Sequence, residues 1–348
     1  MENVISNYRQ VYETKQMSLV KFGLTISFIG AMFNCVFQNF NVAATGQIEG
    51  KFSSGLLAAF VMSIMTLGMC EMLGGFITLL WNIIRGVPAP EIGRTWKVKS
   101  GRMIMVSALL AGPIGTACSV VSIAMCGSTY ANCIIGLAPG VAALLSIPIL
   151  KEKLVGRAWA GIVISILGAI IACFGAPSNV VNFGLGIAIA CICPVAFALE
   201  GIISTHAVDV TDPMLSCPMY RMIASGIFEI IISIIVCAVT GNIGWIGTLL
   251  GLIFSTKMCV VYMICTAIAM FIQYNTAYCS FNYCGAAKSE AILWTGTFWT
   301  IPVGFTMEAL GILPYSVTTF GIIGAIVVVI GILLVVAKPS ELFDLRSN

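Results

Sequence analysis

Six charged side chains interrupt long apolar runs of this sequence: Glu71, Glu200, Arg221, Glu229, Lys288 and Glu290. Such groups do chemistry where water is scarce. A carboxylate binds an amine or exchanges a proton, and a guanidinium or ammonium binds a carboxylate. Polar and aromatic residues recur at matching spacings. Asn34, Gln38 and Asn41 follow i, i+4, i+7 spacing and share one face of a helix. Gln273, Tyr274 and Tyr278 stand together in one run, and Trp294 and Thr297 follow Glu290 in another. Aromatic groups beside a carboxylate suit an organic cation through cation–π attraction.

The surroundings of these residues decide the class of protein. The chain has 348 residues, of which 59% are apolar and 9% charged, with a mean hydropathy of +1.04. A soluble domain carries about 25% charged residues, because its surface must be hydrated. This chain needs a lipid solvent. That excludes a soluble enzyme, a nucleic-acid binder and a disordered chain. A net charge of +3 is too small to argue for an acidic partner. Most of the 14 cysteines, such as Cys70, Cys118, Cys173, Cys237 and Cys265, lie inside apolar runs and read as small packing residues. The single histidine, His206, gives no metal-ligand spacing with them, so no metal or cofactor is expected. His206 near Asp209 and Asp212 reads as a solvated helix cap.

A helix crosses the hydrocarbon with about 20 apolar residues. Ten such spans are expected, at 19–42, 54–84, 102–126, 129–150, 156–175, 183–206, 213–240, 257–281, 285–307 and 314–337. Gly127-Ser128-Thr129 supplies the turn between the third and fourth, and the longest connection runs from Arg85 to Gly101. With both termini inside, 13 of the 17 basic residues are cytoplasmic, among them Arg85, Arg94, Lys97, Lys99, Arg102, Lys151, Lys153 and Arg157. This is the bias that the positive-inside rule demands. Residues 1–18 and 338–348 are then cytoplasmic segments.

The two halves resemble each other. Gly140, Glu152, Gly161 and Gly168 in the first match Gly296, Glu308, Gly324 and Gly331 in the second. The Glu pair differs by 156 positions and the paired glycines of the last span by 163, so the second half carries a seven-residue insertion near Leu313-Pro314. Five spans per half force the second half to insert upside down. The halves are 19–175 and 183–337. The repeated glycines are expected to let helix backbones approach.

Pro139, the run Pro148-Ile149-Leu150-Lys151-Glu152 and the glycine-rich fifth span are similar to the EamA domain. The whole chain, over about 19–337, resembles a ten-helix member of the drug/metabolite transporter superfamily. The fold class implied is all-α, with ten transmembrane helices in two inverted five-helix EamA-like repeats. The resemblance also implies a central cavity lined by helices one, three, four, six, eight and nine. That set includes Glu200 and Glu290 but not Arg221, and it puts Glu71 and Glu229, on spans two and seven, at the periphery. Thr295 stands where the first half has Pro139, so the kink of the ninth span is expected to be absent or displaced to Pro302.

Depth along the spans puts Glu200, Arg221, Lys288 and Glu290 in the inner third of the membrane. They form either a salt-bridged structural cluster, with Lys288 reaching to the interface, or a cytoplasmic-side gate beside the site. The expected substrate-binding residues are Glu200, Glu290, Trp294, Tyr274, Tyr278, Gln273, Asn34 and Gln38, with Arg221 and Lys288 as gating or cluster charges. No glycine-rich run ends in Lys-Ser or Lys-Thr, so nucleotide hydrolysis is not expected to drive the chain. The expected function is secondary transport of a small polar metabolite, an amino-acid-like zwitterion first and a cationic amine or drug as the alternative. An intramembrane enzyme is the reading from another class. The expected partners are the substrate, the lipid bilayer and protons, with no nucleic acid. The protein is expected as a monomer or homodimer in a plasma membrane of bacterial inner-membrane type.

Overall fold

In a computed structural model of the chain, residues 2–150, 156–174, 180–208, 217–284 and 286–336 are described, and they contain helices and turns but no strand. In order these are α1 (Glu2–Glu49), α2 (Leu56–Ile84), α3 (Ala89–Lys97), α4 (Lys99–Leu109), a π-helical segment Leu110–Thr116, α5 (Ala117–Cys126), α6 (Ser128–Ile135) and α7 (Ala138–Leu150). There follow α8 (Gly156–Cys173), α9 (Phe183–Ala190), α10 (Cys193–Val208), α11 (Cys217–Val239), α12 (Gly244–Ser255), α13 (Lys257–Cys284), α14 (Ala286–Leu293), α15 (Gly296–Ala309) and α16 (Thr319–Val336). Glu152, Asp209 and Asp212 lie outside the described residues, as do the side chains of His206 and Lys288.

Among the described residues, 8 helical stretches are long and apolar enough to cross a membrane, from Thr14–Glu49 to Lys257–Phe281. The broken path α14–α15 and the shorter apolar α16 follow them, which is consistent with ten crossings. The turn expected at Gly127 is present. Gly127 has φ 91°, a backbone state that costs a residue without a Cβ little.

Proline chemistry breaks several crossings. Pro113 sits inside the π-helical segment, Pro139 follows the break between α6 and α7, and Pro194 follows the break between α9 and α10. In each case the ring removes an N–H from the helical ladder and crowds the preceding turn. The ninth crossing departs from expectation. It breaks at Trp294-Thr295 without a proline, while Pro302 is carried inside the continuous α15. The reason is local: the Thr295 hydroxyl donates to the Ile292 carbonyl at 2.6 Å, and the Thr295 amide donates to the same oxygen at 3.0 Å. Such side-chain bonds compete with the helix ladder.

Equivalent helices of the two halves pack antiparallel. A Cβ on Gly161 would stand 2.7 Å from the Gly331 carbonyl, and one on Gly168 would stand 2.9 Å from that of Gly324. Numbering rises along α8 as it falls along α16. The pair α2–α11 crosses in the same sense, with Gly68 against the Gly226 carbonyl at 2.9 Å. An in-plane two-fold axis produces this relation; an axis along the membrane normal would make the pairs parallel. The first crossing packs on the eighth, and the sixth packs on the third, as the same axis requires.

Two elements were not expected as helices. α3 fills the 85–101 connection and is amphipathic, with Arg94, Trp96 and Lys97 on it and Trp96 60% exposed. α12 is an apolar helix between the seventh and eighth crossings; its Leu249 and Ile253 are buried in the main core cluster, while Phe254 is 67% exposed. They occupy corresponding places in the two halves.

Candidate functional site

Three of the charges, Arg221, Glu71 and Glu200, form one connected group. Arg221 of α11 is 1% exposed, its Nη1 donating to Glu71 Oε1 at 2.9 Å and its Nε donating to Glu200 Oε1 at 3.2 Å. Its guanidinium carbon lies 4.2 Å from the centre of the Tyr274 ring. Four helices, α2, α10, α11 and α13, therefore meet on one side chain. A planar guanidinium can do this because its donors fork in fixed directions and its face stacks on aromatics. The close α2–α11 crossing at Gly68 and Gly226 brings Glu71 within reach. Glu71 is thus not peripheral: it is wholly buried and neutralised by Arg221.

A second network is built from amides. Gln38 Nε2 donates to Asn34 Oδ1 at 3.0 Å, and Gln38 Oε1 accepts from Asn132 Nδ2 at 3.0 Å. Gln38 Nε2 also reaches Ser119 Oγ at 3.5 Å, and the Thr297 hydroxyl donates to the Asn132 carbonyl at 3.1 Å. The first, third, fourth and ninth crossings converge here. Asn132 lies three residues before the end of α6 at Ile135, and its carbonyl also accepts from the Gly136 amide at 2.8 Å. Asn41, expected on the same face as Gln38, turns instead to Cys70 on α2.

Glu290 and Trp294 join the two networks. Trp294 Nε1 donates to Glu290 Oε2, one helical turn back, and the indole meets Phe197 of α10 edge-on at 5.8 Å between ring centres. Phe197 lies one turn before Glu200, and the Thr297 hydroxyl, which meets the Asn132 carbonyl, also lies 3.4 Å from the Trp294 carbonyl. Tyr278 is 5% exposed and packs on Phe281; Gln273 is 8% exposed, and its Oε1 has no hydrogen-bond partner among the described residues.

Hydroxyl contacts tie the crossings together on either side of this centre. Towards the ends joined by the basic loops, Ser27 meets Ser289 at 3.1 Å, Ser289 also meets Ser280, and Ser107 meets Ser204 at 3.1 Å. Towards the opposite ends, Thr300 donates to Thr129 at 3.3 Å, Thr129 meets Tyr315, and Tyr130 donates to Thr318 at 3.2 Å.

Of the residues singled out in the sequence, Glu200, Arg221 and Tyr274 are in direct contact, as are Asn34 with Gln38 and Glu290 with Trp294. Glu71, singled out in the sequence but expected at the periphery, belongs to the same networks, as do Ser119 and Asn132, which were missed. Asn132 carried a readable signal, being an amide inside the charge-free stretch 103–150. Ser119 carried none, since a serine in such a stretch commonly bonds its own helix.

Such an arrangement can bind and orient polar groups, and among the described residues it pairs no nucleophile with a base. Residues 42–174 match the EamA-like transporter family. No curated protein matches the chain. A solved structure described as "Crystal structure of protein" superposes with a TM-score of 0.54 at 16% identity, covering 89% of this chain and 96% of the other. At that identity the likeness concerns the fold. Residues 42–174 are thereby identified with the EamA-like transporters, a family of the drug/metabolite transporter superfamily, which points to a multi-pass membrane transporter of small molecules.

Proposed function

We propose that the chain moves a small zwitterionic metabolite of amino-acid type across a plasma membrane by alternating access between residues 19–175 and 183–337. The observation that supports this most is the charge balance of the centre. Among the described side chains, Glu71 and Glu200 share a single cation, Arg221, while Glu290 has only the Trp294 indole as a hydrogen-bond partner. An ammonium group supplies the missing positive charge, with Trp294 and Tyr274 as aromatic partners. The Gln38–Asn132 amides would receive a carboxylate by turning N–H groups that now go to Asn34, Ser119, Gln38 and the Ser128 carbonyl. The same excess of acid favours, as a second reading, a cationic amine that lacks the carboxylate.

Glu200 and Glu290 are the amine-binding groups in this account, with Gln273, Tyr278, Asn34 and Gln38 completing the site. Arg221 holds Glu200 in place, and Arg221 and Lys288 are the gating or cluster charges of this reading. The basic loops set both termini in the cytoplasm. Tracer uptake into proteoliposomes tests the reading. Uptake of labelled amino acids, competed by unlabelled amino acids and weakly by simple amines, supports the zwitterion. Uptake of amines alone moves the assignment to the second reading.

A further inference from the structure

Glu229 belongs to neither network. It lies on α11 and is 0% exposed, and neither carboxylate oxygen has a hydrogen-bond partner among the described residues. Ser225, one turn earlier on the same helix, is also 0% exposed, with its hydroxyl likewise unpartnered. Both point at one spot. A Cβ on Gly112 would overlap Ser225 Oγ and stand 3.2 Å from Glu229 Oε1. Gly112 lies in the π-helical segment, and the residue after it, Pro113, has no N–H to offer. Two orphaned oxygens thus converge on bare backbone.

The charged and titratable groups facing Glu229 are few. From α2 come Glu71 and Cys70, from its own helix comes Arg221, and beyond Cys70 lies Cys259 of α13; the π-helical segment contributes none. Arg221 acts on Glu229 only at a distance, its hydrogen bonds going to Glu71 and Glu200. Glu71 Oε2 is unpartnered as well. An ionised carboxylate without a donor or a counter-ion is among the costliest things to bury.

We propose that Glu229 is a proton-binding site of this protein, set apart from the polar centre and connected to it through Glu71 and Arg221. The carboxylate takes a proton from water to become the neutral acid, and it returns the proton to water on release. As the acid, its hydroxyl can donate to Ser225 Oγ or to the free oxygen of Glu71 after a small side-chain rotation. When the proton leaves, Glu229 competes with Glu71 and Glu200 for Arg221, and the hold on Glu200 loosens. A hard metal cation would require about six oxygen ligands, whereas Glu229 and Ser225 supply three. The proposal goes beyond the substrate assignment and does not depend on it.

The test needs no transported substrate. Infrared difference spectra of the purified full-length protein, recorded across a pH series spanning neutrality in light and heavy water, report protonated carboxyl groups directly. The expected result is a carboxylic-acid carbonyl band that disappears on alkalinisation, is absent from Glu229→Gln and persists in Glu200→Gln. Ser225→Ala should shift that band, and Glu229→Asp should keep a titrating band at an altered position. A titrating band that survives unchanged in Glu229→Gln overturns the proposal. So does a band that sodium but not choline removes at fixed pH. Size-exclusion profiles of the variants separate a lost site from a lost fold.

Discussion

Arg221 and Glu200 are joined at 3.2 Å between helices α11 and α10, while the same guanidinium holds Glu71 of α2 at 2.9 Å. The pair makes Glu200 a positioned carboxylate. Removing one partner of a buried pair leaves an uncompensated charge and costs about 3–5 kcal/mol. Arg221→Met is therefore expected to lower thermal stability in detergent steeply. Combining it with Glu71→Gln should recover part of the loss, because the two residues share one interaction. Equal losses for the single and double variants would argue against the coupling.

The glycine crossings make a sharper contrast. A Cβ on Gly168 would lie 2.6 Å from the Val328 amide nitrogen, a backbone atom that cannot step aside, whereas one on Gly184 meets nothing within 4 Å. Gly168→Ala should separate α8 from α16 and cut the yield of folded protein; overpacking typically costs about 1–3 kcal/mol. Gly184→Ala should leave yield and melting temperature within error of the parent. The two variants, purified side by side, provide the check.

Trp294 contributes a donor and a face. Trp294→Phe keeps the face towards Phe197 and loses the bond to Glu290. A hydrogen bond to a charged group is worth about 1.5–3 kcal/mol. The variant should raise the half-saturating tracer concentration by about tenfold or more, with a smaller effect on maximal uptake. An unchanged concentration dependence would remove Trp294 from the site.

The hydroxyl contact Ser107–Ser204, at 3.1 Å, joins the third and sixth crossings near the basic loops. If this end opens during transport, locking it stops the cycle. Ser107→Cys with Ser204→Cys, in a chain whose exposed Cys191 is replaced, should cross-link on mild oxidation and lose uptake, and reductant should restore it. Full uptake in the cross-linked form would show that this end does not open.

Much of this architecture was legible from residues alone. The apolar runs marked the crossings, Gly127 marked a turn, and Gly161, Gly168, Gly324 and Gly331 marked places of close helix approach, though not which helices meet there. The charges in apolar runs pointed to Glu200 and Arg221, because lipid makes an isolated charge expensive. What escaped notice depends on tertiary contact. The break at Trp294-Thr295 arises from a threonine hydroxyl rather than from a proline, and many threonines in helices make the same bond without a break. Glu71 looked peripheral until the Gly68–Gly226 crossing brought it to Arg221. α12 has no amphipathic pattern, since it packs an apolar face on the core and leaves apolar residues outside as well.

Glu200 and Glu290 are the groups proposed to bind the substrate's amine. Uptake of labelled amino acids by proteoliposomes carrying Glu200→Gln or Glu290→Gln, measured across a pH series, tests this most directly. Each variant is expected to lose most of its uptake while folding normally, with Glu200→Gln the more severe. If both variants transport like the parent at every pH, the two carboxylates are structural and the site lies elsewhere.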